Sequence, residues 1–144
     1  MMEKTFVLLK PSAIQRNLIG EIILRMERKG LRLAGIKMLM LNDEILNIHY
    51  NHLRNKPFFA ELKESMMRTP VIVQCWEGTD AISVVRRMIG ITDGRQAAPG
   101  TIRGDYSISI QENIVHASDS IESAKIELDR FFANEELYDY KFID

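Results

Sequence analysis

The sequence predicts a layered α/β domain, a split βαβ sheet covered by helices, and three observations predict it. Short apolar runs of strand length alternate with stretches of helical periodicity along the 144 residues. Prolines and glycines fall at the borders of those runs, where each breaks a ladder or ends a helix. No repeat, linker or low-complexity stretch interrupts the order strand, helix, strand, helices, strand, helix, strand, helix, so residues 1–144 read as one domain.

Thr5 to Leu9 is a buried strand, and Lys10-Pro11-Ser12 breaks it because proline has no N–H for the ladder. Ser12 with Gln15 forms a capping box, and Ile14, Leu18, Ile22 and Met26 recur at helical spacing until Gly30. Leu31 to Leu41 is a second strand. Asp43 to Leu53 is helical, Pro57 starts a second helical piece through Met67, and Pro70 opens the strand Val71 to Trp76. Thr79 to Ile89 is helical again. From Gly90 to Ile110 the periodicity lapses, and long irregular loops in compact domains are usually functional or disordered. A strand around Asn113 to Val115 and a helix from Ile121 to Phe132, with Ile121, Ala124, Leu128 and Phe131 facing inward, complete the pattern before an irregular tail from Asn134 to Asp144.

Composition narrows the function classes. A chain of this length buries about 70% of its unfolded surface without disulfides or a structural metal. The single cysteine, Cys75, sits in an apolar run and reads as core packing. The eight methionines read as flexible core filler. A net charge of −1 argues against a broad nucleic-acid surface, while local arginines still suit a small polyanion. No charged-then-apolar leader and no membrane-length apolar run is present, which points to the cytoplasm and away from a membrane.

The most informative segment is Asn113-Ile114-Val115-His116-Ala117-Ser118-Asp119-Ser120, where a lone histidine stands at a strand end among polar partners before a helix. Read alone, it admits two accounts: His116 is a nucleophile, or it hydrogen-bonds the turn. The Gly-rich phosphate cradles of P-loop, Rossmann and protein-kinase type are missing, so side chains would have to bind any phosphate. Lys10, Arg86 and Arg103 are the candidates, since guanidinium forks match phosphate oxygens and lysine supplies a compact charge. His49 and His52, three apart on a helix, read as a solvated face because no third metal ligand is near in sequence.

These pieces in this order resemble the nucleoside diphosphate kinase family. The motifs are Phe6-Val7-Leu8-Leu9-Lys10-Pro11-Ser12, His49-Tyr50, Lys56-Pro57-Phe58-Phe59, Pro70-Val71, Trp76-Glu77-Gly78, Pro99-Gly100-Thr101-Ile102-Arg103-Gly104-Asp105, the His116 segment, and Phe131-Phe132 before Glu135-Glu136-Leu137. The resemblance implies a ferredoxin-like fold with a four-stranded antiparallel sheet, and transfer of the γ-phosphate of a nucleoside triphosphate to a nucleoside diphosphate. His116 matches the family's phosphorylated histidine, which implies ping-pong kinetics through a covalent intermediate. Glu127 matches the carboxylate that orients the ring, with Ser118 near it, and Tyr50 matches a tyrosine close to the phosphohistidine. Lys10, Arg86, Thr92, Arg103 and Asn113 match positions that bind the phosphates and the sugar hydroxyl. Phe58 matches the aromatic that stacks on the base, with Leu62 a helical turn on and Ile110 opposite; read without the family, Phe58 is ordinary core beside Phe59. Mg²⁺ is implied, held by nucleotide oxygens and water with no direct protein ligand and with Asp119 acting through water. A homo-oligomer, hexamer or tetramer, is implied as well.

Three departures stand out: Ser12-Ala13 for the usual Asp-Gly, Ala117 for a glycine after the histidine, and Asp93-Gly94 for a frequent Asn-Pro. Serine caps a helix as well as aspartate, so the first is neutral. The methyl of Ala117 would restrict the backbone or narrow the approach to His116 unless the local φ is negative. Gly94 would loosen a loop that in the family contributes to subunit packing. Two rival readings are a catalytically silent nucleotide-binding regulator, which the intact His116 disfavours, and a single-strand nucleic-acid module, whose aromatic signature is missing.

Overall fold

The computed structural model describes residues 1–141. Its chain order is β1 (Met2–Leu9), α1 (Pro11–Gln15), α2 (Ile19–Lys29), β2 (Arg32–Leu39), α3 (Asp43–His49), α4 (Phe59–Met66), β3 (Val71–Thr79), α5 (Ala81–Ile89), α6 (Ile102–Tyr106), β4 (Val115–Ala117) and α7 (Ile121–Phe131), with short 3₁₀ turns at Asn51–Leu53 and Asn134–Glu136. The strands form one sheet in the order β2-β3-β1-β4, every neighbouring pair antiparallel. Each half is a split βαβ unit, since β3 lies between β1 and β2 while β1 lies between β3 and β4. The expected ferredoxin-like, α+β architecture is what the chain forms.

Side-chain alternation on β1 explains why the sheet is covered on both faces. Val7 and Leu9 pack with Ile22 and Met26 of α2, Val85 and Ile89 of α5, and Trp76. Phe6 and Leu8 face the other way, onto Leu46 of α3, Met66 of α4, and Leu128 and Phe131 of α7. Cys75 lies in this second layer, and burial pushes its thiol up to about 11. His116 pairs with Leu8 and therefore shares the α3 and α7 face. No helix among the described residues is long and apolar enough to cross a membrane.

Several local expectations are corrected. The helix predicted from Ser12 to Gly30 is two helices, because Asn17 turns to a left-handed φ of 58° between them. Ser12 is not a cap: Pro11 occupies the first helical turn, Lys10 is the N-cap, and the Ser12 hydroxyl is buried without a partner. Gly30 does end α2, at φ 99°, with Leu31 N–H reaching the Met26 carbonyl. The helical stretch expected from Asp43 to Leu53 closes at His49 and continues as a 3₁₀ turn. The last strand is centred on His116 rather than ending before it. Ile121, at the first helical position of α7, is exposed, unlike Ala124, Leu128 and Phe131. Four methionines are exposed, and Met38 and Met40 lie with Ile36 on and just beyond the β2 edge strand instead of filling core. Of the tail, residues 142–144 lie outside the described residues.

The stretch from Gly90 to Ile110 is not wholly irregular, since α6 forms inside it. Thr101 caps that helix by accepting from Gly104 N–H at 2.9 Å. Gly104 is obligatory there: a Cβ would stand 2.0 Å from the Ala98 carbonyl oxygen. This tight turn is what aims Arg103 inward.

Candidate active site

Two backbone devices carry His116. It is the central residue of β4, flanked by the buried Val115 and Ala117 on the opposite face. Just before the strand, Val115 N–H bonds the Asn113 carbonyl at 2.8 Å across Ile114, whose φ is 75°. A γ-turn with positive φ at a β-branched residue costs roughly 1–3 kcal/mol, so neighbours must hold it. Lys10 N–H bonds the Ile114 carbonyl, and Arg103 donates to the carbonyls of Asn113, Val115 and Gly90.

Around the imidazole the partners come from three elements. His116 Nε2 lies 2.8 Å from Glu127 Oε2, and Ser118 Oγ donates to Glu127 Oε1 at 2.6 Å. Ser118 is itself pinned to β1, accepting from Phe6 N–H and donating its own N–H to the Phe6 carbonyl. Burial opposes ionisation of Glu127, but the hydrogen bonds and charge of His116 and the bond from Ser118 outweigh it and hold the carboxyl below its ordinary value. A carboxylate only accepts, so it fixes the proton of neutral His116 on Nε2 and leaves the Nδ1 lone pair free.

The predicted cationic residues are tied to Asn113 and to the backbone of β4. Lys10 Nζ bonds Asn113 Oδ1 at 2.7 Å, and Asn113 Nδ2 reaches the Thr92 carbonyl at 3.4 Å. Burial and then the charge of Arg103 lower Lys10 to about 8. Burial and then Arg86 lower Arg103 to about 10, so it stays cationic at neutral pH. Arg86 donates to the Ala117 carbonyl at 3.2 Å. Arg103 differs from the expectation of a free fork: three of its five donors hold backbone, and each terminal nitrogen keeps one N–H uncommitted. Asp119 accepts from Ser123 Oγ and is drawn below its usual pKa by that bond.

Phe58 is 45% exposed and Ile110 54% exposed, so neither is core; Phe59 and half-buried Leu62 pack inward. Tyr50 is buried and packs edge-on against His49, which packs edge-on against His116 at 5.3 Å between ring centres. Burial, then Glu127, pushes Tyr50 up to about 12.

His49 corrects the sequence reading. It is 8% exposed, not on a solvated face, and Arg130 Nη1 lies 2.8 Å from its Nδ1. Its neighbours His116 and Glu127 are distant in sequence, which hid them. A signal did exist, since Leu46 and His49 are three apart on one face of α3 and Leu46 is plainly apolar. Arg130 and the strained Ile114 gave no comparable signal. His52 is exposed as expected.

An antiparallel α+β scaffold holding an oriented imidazole beside clustered cations defines a class of phosphoryl-transfer protein, and similarity to known proteins specifies it. The sequence profile of the nucleoside diphosphate kinase family matches residues 3–137. A nucleoside diphosphate kinase of Parabacteroides distasonis is 66% identical over 140 residues, 97% of this chain and 92% of that protein. One from Bacillus licheniformis is 51% identical over 136 residues, covering 94% and 92%. The structure of a halophilic nucleoside diphosphate kinase from Halobacterium salinarum in complex with CDP superposes with a TM-score of 0.95 at 41% identity, covering 99% of this chain and 95% of that one. The chain belongs to the nucleoside diphosphate kinase family and is a phosphotransferase of that kind.

Proposed function

We propose that the enzyme moves the γ-phosphate of a nucleoside triphosphate, typically ATP, to a nucleoside diphosphate in two steps through a phosphohistidine at His116. The observation that carries this reading is the His116–Glu127 contact, which leaves Nδ1 as the lone-pair nitrogen. In the first step Nδ1 attacks the γ-phosphorus, the bond to the bridging oxygen breaks, and the diphosphate leaves. Glu127 then balances the positive charge gained by the ring, as Ser118 holds the carboxylate in place. In the second step the P–N bond breaks toward a terminal oxygen of a new diphosphate, and neutral imidazole returns.

Lys10, Arg86 and Arg103 stabilise the charge spread over the equatorial oxygens of a loose transition state, with Thr92 and Asn113 binding phosphate and sugar. Tyr50 stays protonated at neutral pH and lines the imidazole pocket behind His49. Phe58, Leu62 and Ile110 bind the base by its face, which every base offers, so broad nucleotide tolerance follows. The donor set fits Mg²⁺ carried in by the nucleotide: Lys10, Arg86 and Arg103 are tied to Asn113 and to backbone carbonyls next to His116, and Asp119 is the exposed carboxylate that would act through water. Bound with the nucleotide, the ion would neutralise phosphate charge as a Lewis acid, and Asp119 would hold it through water.

The whole chain, 1–144, acts as one domain and as a homo-oligomer, hexamer or tetramer. Exposed Ile36, Met38 and Met40 along an edge strand support a subunit contact, since such an edge left bare invites association. A cytoplasmic location suits the nucleotide substrates and the free Cys75 thiol.

Incubation with γ-³²P-ATP tests the reading. One acid-labile, base-stable label is expected, chased by any added nucleoside diphosphate and lost in His116→Ala. Label that survives this substitution overturns the assignment.

A further inference from the structure

We propose that His49 is a positioning residue, locked by Arg130 as the neutral Nε2–H tautomer, and that this lock keeps a second positive charge away from the His116–Glu127 pair. The inference deepens the phosphohistidine reading and rests on it.

The lock follows from donor and acceptor chemistry. A guanidinium has five donors and no acceptor, so the 2.8 Å contact between Arg130 Nη1 and His49 Nδ1 requires a lone pair on Nδ1. The ring's one proton must then sit on Nε2. Protonating Nδ1 would break that bond and set two cations face to face in a buried place. Burial is the largest cause that pushes His49 well below the ordinary histidine range, the charge of His116 is the next, and Arg130 acts in the same direction.

Position makes the lock matter. One ring nitrogen each from His49 and His116 and one Glu127 oxygen lie within 4.8 Å of one another. The titratable and charged groups facing His49 are His116 on β4, Glu127 and Arg130 on α7, and Tyr50 and His52 beside it in the chain. Phe6 and Phe131 close the apolar side, Phe131 at 5.6 Å from the His49 ring centre. Glu127 is the one group here that favours a charged His49. An imidazolium at this place would compete with His116 for the Glu127 carboxylate, and the nucleophile would lose the bond that orients it. Glu127 and Arg130 are three apart on α7, so one helix face dictates the tautomer of both rings.

Imidazole ¹⁵N NMR on the intact ligand-free enzyme reads the tautomers directly, between about pH 5 and 8. His49 is expected to show a proton on Nε2 alone and no titration. In Arg130→Met, a half-exposed site, the His49 proton is expected to divide between Nδ1 and Nε2, and the acid end of the phosphoryl-exchange profile to rise toward this range, Arg130 being one of several causes that keep the ring neutral. His49→Gln keeps an oxygen for Arg130 and cannot titrate, so its acid limb is unchanged, and adding His49→Gln to Arg130→Met removes the change. A wild-type His49 that carries its proton on Nδ1, or titrates like a free histidine, overturns the proposal without any variant. So does an Arg130→Met enzyme with unchanged spectrum and pH profile. Failure of the phosphohistidine reading would look different: no label on His116, with the His49 tautomer as stated.

Discussion

The imidazole pocket and the exposed apolar side chains of Phe58 and Ile110 sit at opposite extremes of contact. Around His116, each identified partner is tied to a second one: Glu127 to Ser118, Ser118 to Phe6, Arg103 to three carbonyls. Around Phe58 and Ile110 both rings and branches stand open to solvent. The difference suits the roles proposed for the two regions. Phosphoryl transfer depends on groups fixed before the substrate arrives, whereas a slot that accepts any base gains from presenting only a flat apolar face.

Glu127→Gln should produce the largest effect, because it strikes the ordered pocket. An amide keeps the shape but loses the charge that balances the phosphorylated ring. A charge-assisted hydrogen bond contributes about 1.5–3 kcal/mol, so kcat should fall roughly 10- to 100-fold with little change in KM, measured by stopped-flow phosphorylation. A KM effect of equal size would mean that Glu127 binds substrate instead of orienting His116.

Phe58→Ala should act the other way round. Losing one stacking face costs about 1–3 kcal/mol per base, so KM should rise about tenfold for purine and pyrimidine nucleotides alike, with the phosphorylation rate at saturation kept. A rise confined to one base would make the slot a reader of base edges.

How far the sequence revealed these two regions follows from where their information lies. The apolar run of β1, the helical spacing of α2 and the glycine stop at Gly30 are local patterns, and the architecture they implied is the one observed. Lys10, Arg86, Arg103 and His116 were legible as chemically apt residues, and Asn113 through the resemblance; the fold ties Lys10 to Asn113 and both arginines to the β4 backbone. Neighbours joined only through the fold were not legible. His49 meets its partners across β4 and α7, and helix spacing on α3 was its sole trace. Ile114 runs against its own propensity, since a β-branched residue at positive φ is what local rules forbid. The false cap at Ser12 has a similar cause: Pro11 also starts helices, and it took precedence.

A third prediction joins the regions through pH. Lys10, lowered to about 8 by burial and Arg103, regains its proton preference when phosphates bind. The cation is the binding form, so nucleotide affinity is full below the free-state value and weakens as pH rises through it. Calorimetric Kd for a nucleoside diphosphate should increase about tenfold between pH 7 and 9, and Lys10→Met should bind weakly with that alkaline decline removed. A wild-type affinity flat across this range would place Lys10 outside the phosphate contact.

Ala117→Gly should have the smallest effect, and it separates the two faces of one strand. Ala117 has negative φ, lies in β4 opposite Val7, and packs its methyl into the layer of Trp76 and Val85, away from His116. The methyl therefore contributes to stability and leaves the approach to the imidazole clear. Glycine there would lose buried contact and add freedom to the unfolded chain, about 1 kcal/mol in all. Calorimetry should record a fall in Tm of about 3 °C, with the phosphorylation rate unaltered. A faster rate in the glycine variant would reverse this account, because it would mean that the alanine methyl reaches through to the nucleophile's side of the sheet.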